Sequence, residues 1–413
     1  MSTFPKICLN MIVKDESHIL EKRLSSLCEK IKIDYYVICD TGSSDNTKEI
    51  ITTFFEKQNI KGDLYDHEWK DFGYNRTKAL ECAFEKSEYV FIFDADDEIT
   101  GNLVLPEEWH YDQYNLKFGD DLVYYRPLLI NNKKKWCFKG VLHEYLDIVE
   151  DSISEVNIEG DYHVISGKNG NRNKDPEKYI KDAVILKEAF DNEHETNIIM
   201  ASRYAFYCAQ SYKDAEHFDD AIVWYEKTLL LPCWSQEKYY SCIVIASIYR
   251  DKQDYIKALE YMLKSINYDE ERIEGVTMAC EYCMNANLHA VVNMLYEKFK
   301  HVCLPNNKLF LIRDCYNDNL IYYNSISCYY LAKHQQGYEC IKTLLKNNVL
   351  KETFMDQTVK NALFYKEQIN NDESMELLQS LTKILKNRKL ENKEILSEYT
   401  ELLNFLKNRY FDF

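Results

Sequence analysis

A chain of 413 residues exceeds the usual size of one hydrophobic core, so two or three domains are expected. Its 51 Lys plus Arg stand against 68 Asp plus Glu, and the formal charge of −17 excludes nucleic acid as the expected partner. Fourteen cysteines are scattered from Cys8 to Cys340 without a compact framework, no secretory signal stands at the start, and no apolar run approaches the roughly 18 to 20 residues of a membrane span. These features predict a cytoplasmic, reduced chain with free thiols and no membrane span.

From Lys6 to about Asn131, β-rich runs alternate with helical patterns. Lys6 to Val13, Asp34 to Asp40, Gly62 to Trp69, Glu88 to Asp94 and Asp121 to Ile130 read as strands. Ser17 to Ile31, Ser44 to Phe55 and Phe72 to Lys86 carry apolar residues at helical spacing, and Asn46 three residues before Glu49 is a capping-box pattern. Such alternation predicts a mainly parallel sheet covered on both faces, with ligands at the carboxyl ends of its strands.

After Asp161 the pattern changes. Ser166 to Asn173 is polar and glycine-bearing, Asp175-Pro176 offers an N-cap and first-turn proline, and the remainder reads as helix. Ala209, Tyr212 and Ala221 recur 37 positions later as Ala246, Tyr249 and Ala258. Small residues at these offsets let paired helices approach closely, a pattern that resembles tetratricopeptide repeats. Weaker copies lie near Ala279 to Ala290 and Tyr330 to Cys340. Cys280 and Cys283 form a lone CxxC whose i,i+3 thiols on a helix are expected to face a core.

Chemistry concentrates in the first half. Phe91 to Glu98 sets Asp94, Asp96 and Asp97 directly after an apolar strand. Alternate positions Asp94 and Asp96 can face one ligand, one holding a nucleoside and the other a hard divalent cation. Asp40 ends another strand before Thr41-Gly42, where its carboxylate can accept the imide N–H of uracil. With Met11 to Glu16 ahead of it, and Trp69, Phe72, Asn75 and Arg76 behind it, the set resembles glycosyltransferase family 2 of the GT-A fold over roughly residues 6 to 165.

The resemblance implies roles residue by residue. Asp40 matches the acid that reads uracil. Lys14, Asn75, Arg76 and Asp94 fall in the nucleotide-sugar set, and Asp96 is the metal ligand of the DxD signature. Lys139 to Glu144 is similar to the G-x-[VL]-H-E segment of members with repeat domains, which places His143 and Glu144 at the catalytic centre. His163, in Asp161-Tyr162-His163, matches a later histidine that completes a Mn²⁺ or Mg²⁺ site. An inverting transfer needs one carboxylate to take the acceptor's proton, and Glu144 is the candidate base.

The expected architecture is therefore α/β followed by all-α: a GT-A catalytic domain over residues 1–175 and a tetratricopeptide-like domain over 176–413. The expected activity moves a sugar from a UDP-sugar to a polypeptide or glycan acceptor, and the helical domain is expected to support a homodimer. A nucleotidylyltransferase would need a glycine-rich loop after the first strand, where this chain has Lys14-Asp15-Glu16-Ser17. An inactive scaffold that binds a partner protein would have no reason to keep every carboxylate and base the chemistry requires.

Overall fold

The structure, a computed structural model, describes residues 6–119, 123–148, 152–167, 169–305, 308–346, 352–386 and 393–411. The chain forms two compact units, Met1–Pro232 and Cys233–Phe413.

The first unit begins as expected, with strands alternating with helices: β1 (Ile7–Val13), α1 (Leu20–Lys30), β2 (Tyr35–Asp40), α2 (Thr47–Lys57), β3 (Lys61–Asp66), α3 (Phe72–Ala83) and β4 (Tyr89–Ile92). Then come β5 (Glu98–Gly101), β6 (Gln113–Phe118), β7 (Tyr124–Asn131), β8 (Trp136–Lys139), β9 (Tyr145–Ile148), β10 (Glu155–Asn157) and β11 (Tyr162–Ile165). Of these seven, periodicity found only β7, and Asp121 and Leu122 of that expected strand lie outside the described residues. The main sheet runs β3-β2-β1-β4-β7-β6-β11-β5, with β10 beside β6, while β8 and β9 form a separate hairpin. β3, β2, β1 and β4 are mutually parallel, whereas β7 is antiparallel to both β4 and β6.

Both faces are covered. Leu20, Leu24 and Leu27 of α1 and Ile51, Phe54 and Phe55 of α2 pack with Leu9, Met11, Ile38 and Phe91 on one face. Leu80 and Ala83 of α3 pack with Cys8, Val37, Val90 and Trp136 on the other. Asn10, the polar interruption in β1, is buried and donates to the carbonyls of Val37 and Ala79.

The capping box at α2 does not form. Asn46 occupies the N-cap position without a side-chain cap, and the Asp45 carboxylate instead accepts from the Thr47 amide at 3.0 Å. The earlier residue wins because its carboxylate also receives the Ser17 amide from the neighbouring loop.

Three helices complete this unit: α4 (Lys178–Glu193), α5 (Ile198–Asp214) and α6 (Phe218–Leu230). Within this unit α4 packs along α5 and α5 along α6. Asp175 lies ahead of α4 and accepts the Glu177 amide, so the helix starts slightly later than the proline suggested.

The second unit is helical: α7 (Ser235–Asp251), α8 (Tyr255–Ser265), α9 (Glu274–Asn285), α10 (His289–Phe299), α11 (Asn319–Tyr330), α12 (His334–Lys346), α13 (Glu352–Ala362), α14 (Asn371–Lys386) and α15 (Lys393–Phe411). The repeat has a structural counterpart. Ala209, Ala221, Ala246 and Ala258 are all buried, on α5, α6, α7 and α8. Each hairpin turns through one left-handed residue, Glu216 or Gln253, and closes with an amide bond back across the turn, His217 to Tyr212 or Asp254 to Tyr249. Asn287 and Ala332 do the same in the next two hairpins. Cys280 and Cys283 are buried free thiols on α9.

Candidate functional site

The carboxyl ends of β1, β2 and β4 deliver the residues. Past β1, Asp15 adopts a left-handed conformation and its carboxylate accepts the Ser44 amide at 2.7 Å. The Glu16 amide donates to Thr47 Oγ1 at 2.8 Å, so the loop that presents Lys14 is fastened to the loop after β2. Asp40 is fully buried. Its Oδ1 accepts the amides of Gly42 and Ser43 at 2.9 and 2.8 Å, while its Oδ2 has no protein partner. One oxygen thus shapes the turn, where Gly42 takes a φ of 100° that favours glycine, and the other is left over.

Helix α3 is fastened to the β8–β9 hairpin. The Asp71 carboxylate accepts the Tyr74 amide at its start, and the Phe72 amide donates to the Val141 carbonyl. A Cβ on Gly73 would lie 2.3 Å from the Gly140 carbonyl oxygen, so glycine is what permits this approach. Docking sets Arg76 between two carboxylates, with Nε 2.6 Å from Glu144 Oε1 and a terminal nitrogen 2.7 Å from Asp94 Oδ1. Burial disfavours charge on both Arg76 and Asp94, yet the ion pair overrides it. Arg76 is held above its usual value by Asp94 and Glu144, and Asp94 is held below the ordinary carboxylate range by Arg76 and Arg126.

Asp96 and Asp97 face the loop that follows β11. Asp96 Oδ2 accepts the Gly170 amide at 3.2 Å, and Asp97 Oδ1 accepts that of Gly167 at 3.1 Å. Glu16 accepts the Asn171 amide, and a Cβ on Gly170 would lie 2.8 Å from Asp96 Oδ2 and 3.4 Å from Glu16 Oε1. Glu16 and Asp96 therefore form a carboxylate pair across a glycine. Burial, reinforced by Asp96, raises the Glu16 carboxyl, while burial and the Asp94 charge push Asp97 up to about 7.

A cavity of about 860 Å³ opens here, lined by Lys14, Glu16, Arg76, Asp94, Asp96 and Asp97 among others, with Trp69 and Phe72 packed edge to face on its wall. The first turns of α4 supply Lys178, Lys181 and Asp182 to the same wall. A second cavity of about 220 Å³ shares Arg76, Asp94 and Asp97 and adds Arg126 and Glu144.

Other expected residues stand apart. Asn75 is buried and spends its amide on the Lys70 amide and the Glu68 carbonyl, bracing the segment that carries Trp69. His143, in a left-handed conformation, stacks on Tyr207 of α5 at 4.0 Å, and its carbonyl accepts from Arg203. Although the residue keeps a solvent-exposed edge, packing of the ring and the cations Arg203, Arg172 and Lys178 lower it to about 4, so it is neutral at pH 7. His143 lines neither cavity. His163 lies opposite Thr100 on β11 and also lines neither, although its Nδ1 is buried without a partner.

The sequence pattern offers Asp97 as an alternative base to Glu144 and gives Glu16 no role, and it does not single out Lys178 and Asp182 of the large cavity or Arg126 of the small one. Glu16 had a signal, its place directly after the β1 end. Arg126 had none, because β7 alternates exposed and half-buried residues before its buried stretch.

Residues 8–114 match the family model described as Glycosyl transferase family 2. No curated protein matches the chain. Among solved structures, it is similar to S. aureus TarS, with a TM-score of 0.31 and 15% identity over 59% of this chain and 49% of that one, so it spans about half of that protein's length. It is similar to S. aureus TarS 1–349 in complex with UDP-GlcNAc, with a TM-score of 0.34 and 14% identity over 63% of this chain and 91% of that one. It is also similar to the mannosyltransferase PcManGT from Pyrobaculum calidifontis in complex with GDP-Man and Mn²⁺, with a TM-score of 0.36 and 11% identity over 72% and 85%.

Proposed function

We propose that this chain is a glycosyltransferase that takes its sugar from a nucleotide-sugar, UDP-linked, and passes it to a polypeptide or glycan acceptor by a single inverting displacement. The observation that carries this reading is the cavity at the strand ends. It is lined by Lys14, Arg76, Asp94 and Asp96, all within the segment that matches the family model. Cations beside it suit a diphosphate, while Asp40, fully buried and lining neither cavity, is assigned to a base N–H by the resemblance alone.

Asp96 and Glu16 offer the hard oxygen donors that Mn²⁺ or Mg²⁺ takes, and such an ion, when bound, would neutralise a departing diphosphate. A part for His163 rests on the resemblance alone. Glu144 is the proposed base that removes the acceptor's proton, and Arg76 orients it. Asp97 is its rival, because a carboxyl near 7 suits proton transfer at neutral pH. The helical hairpins are proposed as tetratricopeptide-like and as the surface that selects the acceptor.

The test is a panel of nucleotide sugars incubated with the full chain, with and without Mn²⁺ or a chelator, scored for release of nucleoside diphosphate. Uridine donors should be hydrolysed in a metal-dependent way. Binding without turnover for every donor and acceptor tried would favour the scaffold instead, and absence of binding would remove the donor site.

A further inference from the structure

A second cluster lies on the opposite face of β2. Neighbouring strand residues point to opposite faces, so Cys39 faces away from Asp40, toward α3. There it meets Cys82 from α3 and His67 from just beyond β3. One ligand atom from each, two sulfurs and an imidazole nitrogen, lie within 4.8 Å of one another. Cys39 is buried, the other two are half-buried, and Cys82 Sγ stands 3.6 Å from His67 Nε2. Zinc–sulfur and zinc–nitrogen bonds of about 2.3 and 2.0–2.1 Å at tetrahedral angles separate neighbouring ligand atoms by about 3.6 to 3.8 Å. The Cys82–His67 separation already matches that edge, and the other two pairs lie within 4.8 Å. The trio is also the one such three-donor group among the described residues, and Cys280 and Cys283 gather no third donor.

We propose that Cys39, His67 and Cys82 bind one zinc ion, leaving its fourth position to water or an external ligand. The donor set selects the metal, since two thiolates and an imidazole favour a borderline-soft cation over the hard ions that carboxylates take. Charge fits as well: two thiolates and Zn²⁺ sum to zero, which a half-buried site tolerates far better than an isolated charge. The ligands come from three elements, and the His67 amide donates to the Asp40 carbonyl at 2.9 Å, so the ion would tie the β2 and β3 ends behind the Asp40 turn.

The test uses the full chain, reduced, stripped with chelator, incubated with zinc chloride and desalted. One equivalent of zinc should remain by elemental mass spectrometry, and should be lost in Cys82→Ala and His67→Gln but kept in Cys280→Ser. Cobalt in place of zinc should give thiolate charge-transfer absorption and the visible bands of a tetrahedral site. A readout that needs no variant is alkylation mapped by peptide mass: zinc should slow modification of Cys82 by at least about tenfold and leave exposed Cys303 unaffected. No retained zinc in the folded wild type, retention unchanged in folded Cys82→Ala, unprotected Cys82, or a Cys39–Cys82 disulfide in its place would each overturn the proposal.

Discussion

The two halves of the main sheet place chemistry differently. In the parallel half, β3-β2-β1-β4, strands end at one edge and their loops interlock, so Lys14, Asp40, Asp94 and Asp96 come to one side by topology alone. In the mixed half, β7-β6-β11-β5 with the β8–β9 hairpin, β7–β6 and β11–β5 pair antiparallel while β6–β11 pair parallel, and each functional side chain needs its own anchor. Glu144 has one in Arg76, itself carried by α3 from the parallel half. His143 and His163 have none that reaches a cavity. Strand ends of a parallel sheet make a site collectively, whereas a region of mixed strand direction contributes residues one at a time.

Breaking the parallel half should cost most. Asp96→Ala should abolish transfer, a loss beyond about 10³-fold, and weaken UDP binding in Mn²⁺. His163→Ala should lower activity by less than about tenfold if this histidine stays outside the site. Radiolabel transfer measures both, and the reverse ranking would show that the mixed half supplies the metal ligand.

Glu144→Gln keeps size and the Arg76 hydrogen bond but cannot take a proton, so turnover should fall by about 10²- to 10⁴-fold with donor affinity little changed. Asp97→Asn is the paired control. If it costs more than Glu144→Gln, the base belongs to the parallel half after all. A product of retained anomeric configuration, read by nuclear magnetic resonance, would reject direct displacement for either residue.

Two binding measurements follow. Residues 1–232 should keep UDP affinity because α4 lines the large cavity, whereas a cut at 175 removes Lys178 and exposes the face that α4 covers. Equal affinity for both folded truncations would show that α4 is dispensable. Asp40→Asn should weaken UDP by about 10- to 100-fold, since a charge-assisted hydrogen bond is worth roughly 1.5 to 3 kcal/mol. Identical titration curves would reduce Asp40 to its turn-forming Oδ1.

The same contrast governs what the sequence discloses. β1, β2 and β4 are almost wholly buried, so their apolar runs stand out, and Asp40 and Asp94 follow those runs directly. β5, β8, β9 and β11 are four residues long with mixed burial, too short for a period to register, and β10 has only three. The repeat at Ala209 and Ala246 was visible because helix crossings demand small residues at fixed offsets. The Arg76–Glu144 pair joins positions 68 apart, and only docking through Gly73 and Gly140 brings them together.

The smallest effect concerns the brace that keeps the parallel half's loops in place. Asp45 accepts the Thr47 amide and hydroxyl at 3.0 and 2.5 Å, and the Ser17 amide at 3.1 Å. Slight burial opposes its charge, but bonds from Ser17 and Thr47 prevail and hold the carboxyl at about 2. Because this lies below the ordinary aspartate value near 3.9, the stabilisation is complete above about pH 4 and disappears as pH falls toward 2. Asp45→Asn retains an acceptor and loses the charge. As the group is mostly exposed, the cost at pH 7 should be no more than about 1 kcal/mol. Amide exchange at Thr47 should therefore quicken by up to about fivefold in Asp45→Asn at pH 7, after correction for intrinsic rates, and the two proteins should converge as pH drops below 4. A gap that persists undiminished at low pH would assign the brace to shape instead of charge. No gap at pH 7 would show that the hydroxyls of Ser43, which accepts the Asp15 amide at 2.9 Å, and of Thr47 hold the loops unaided.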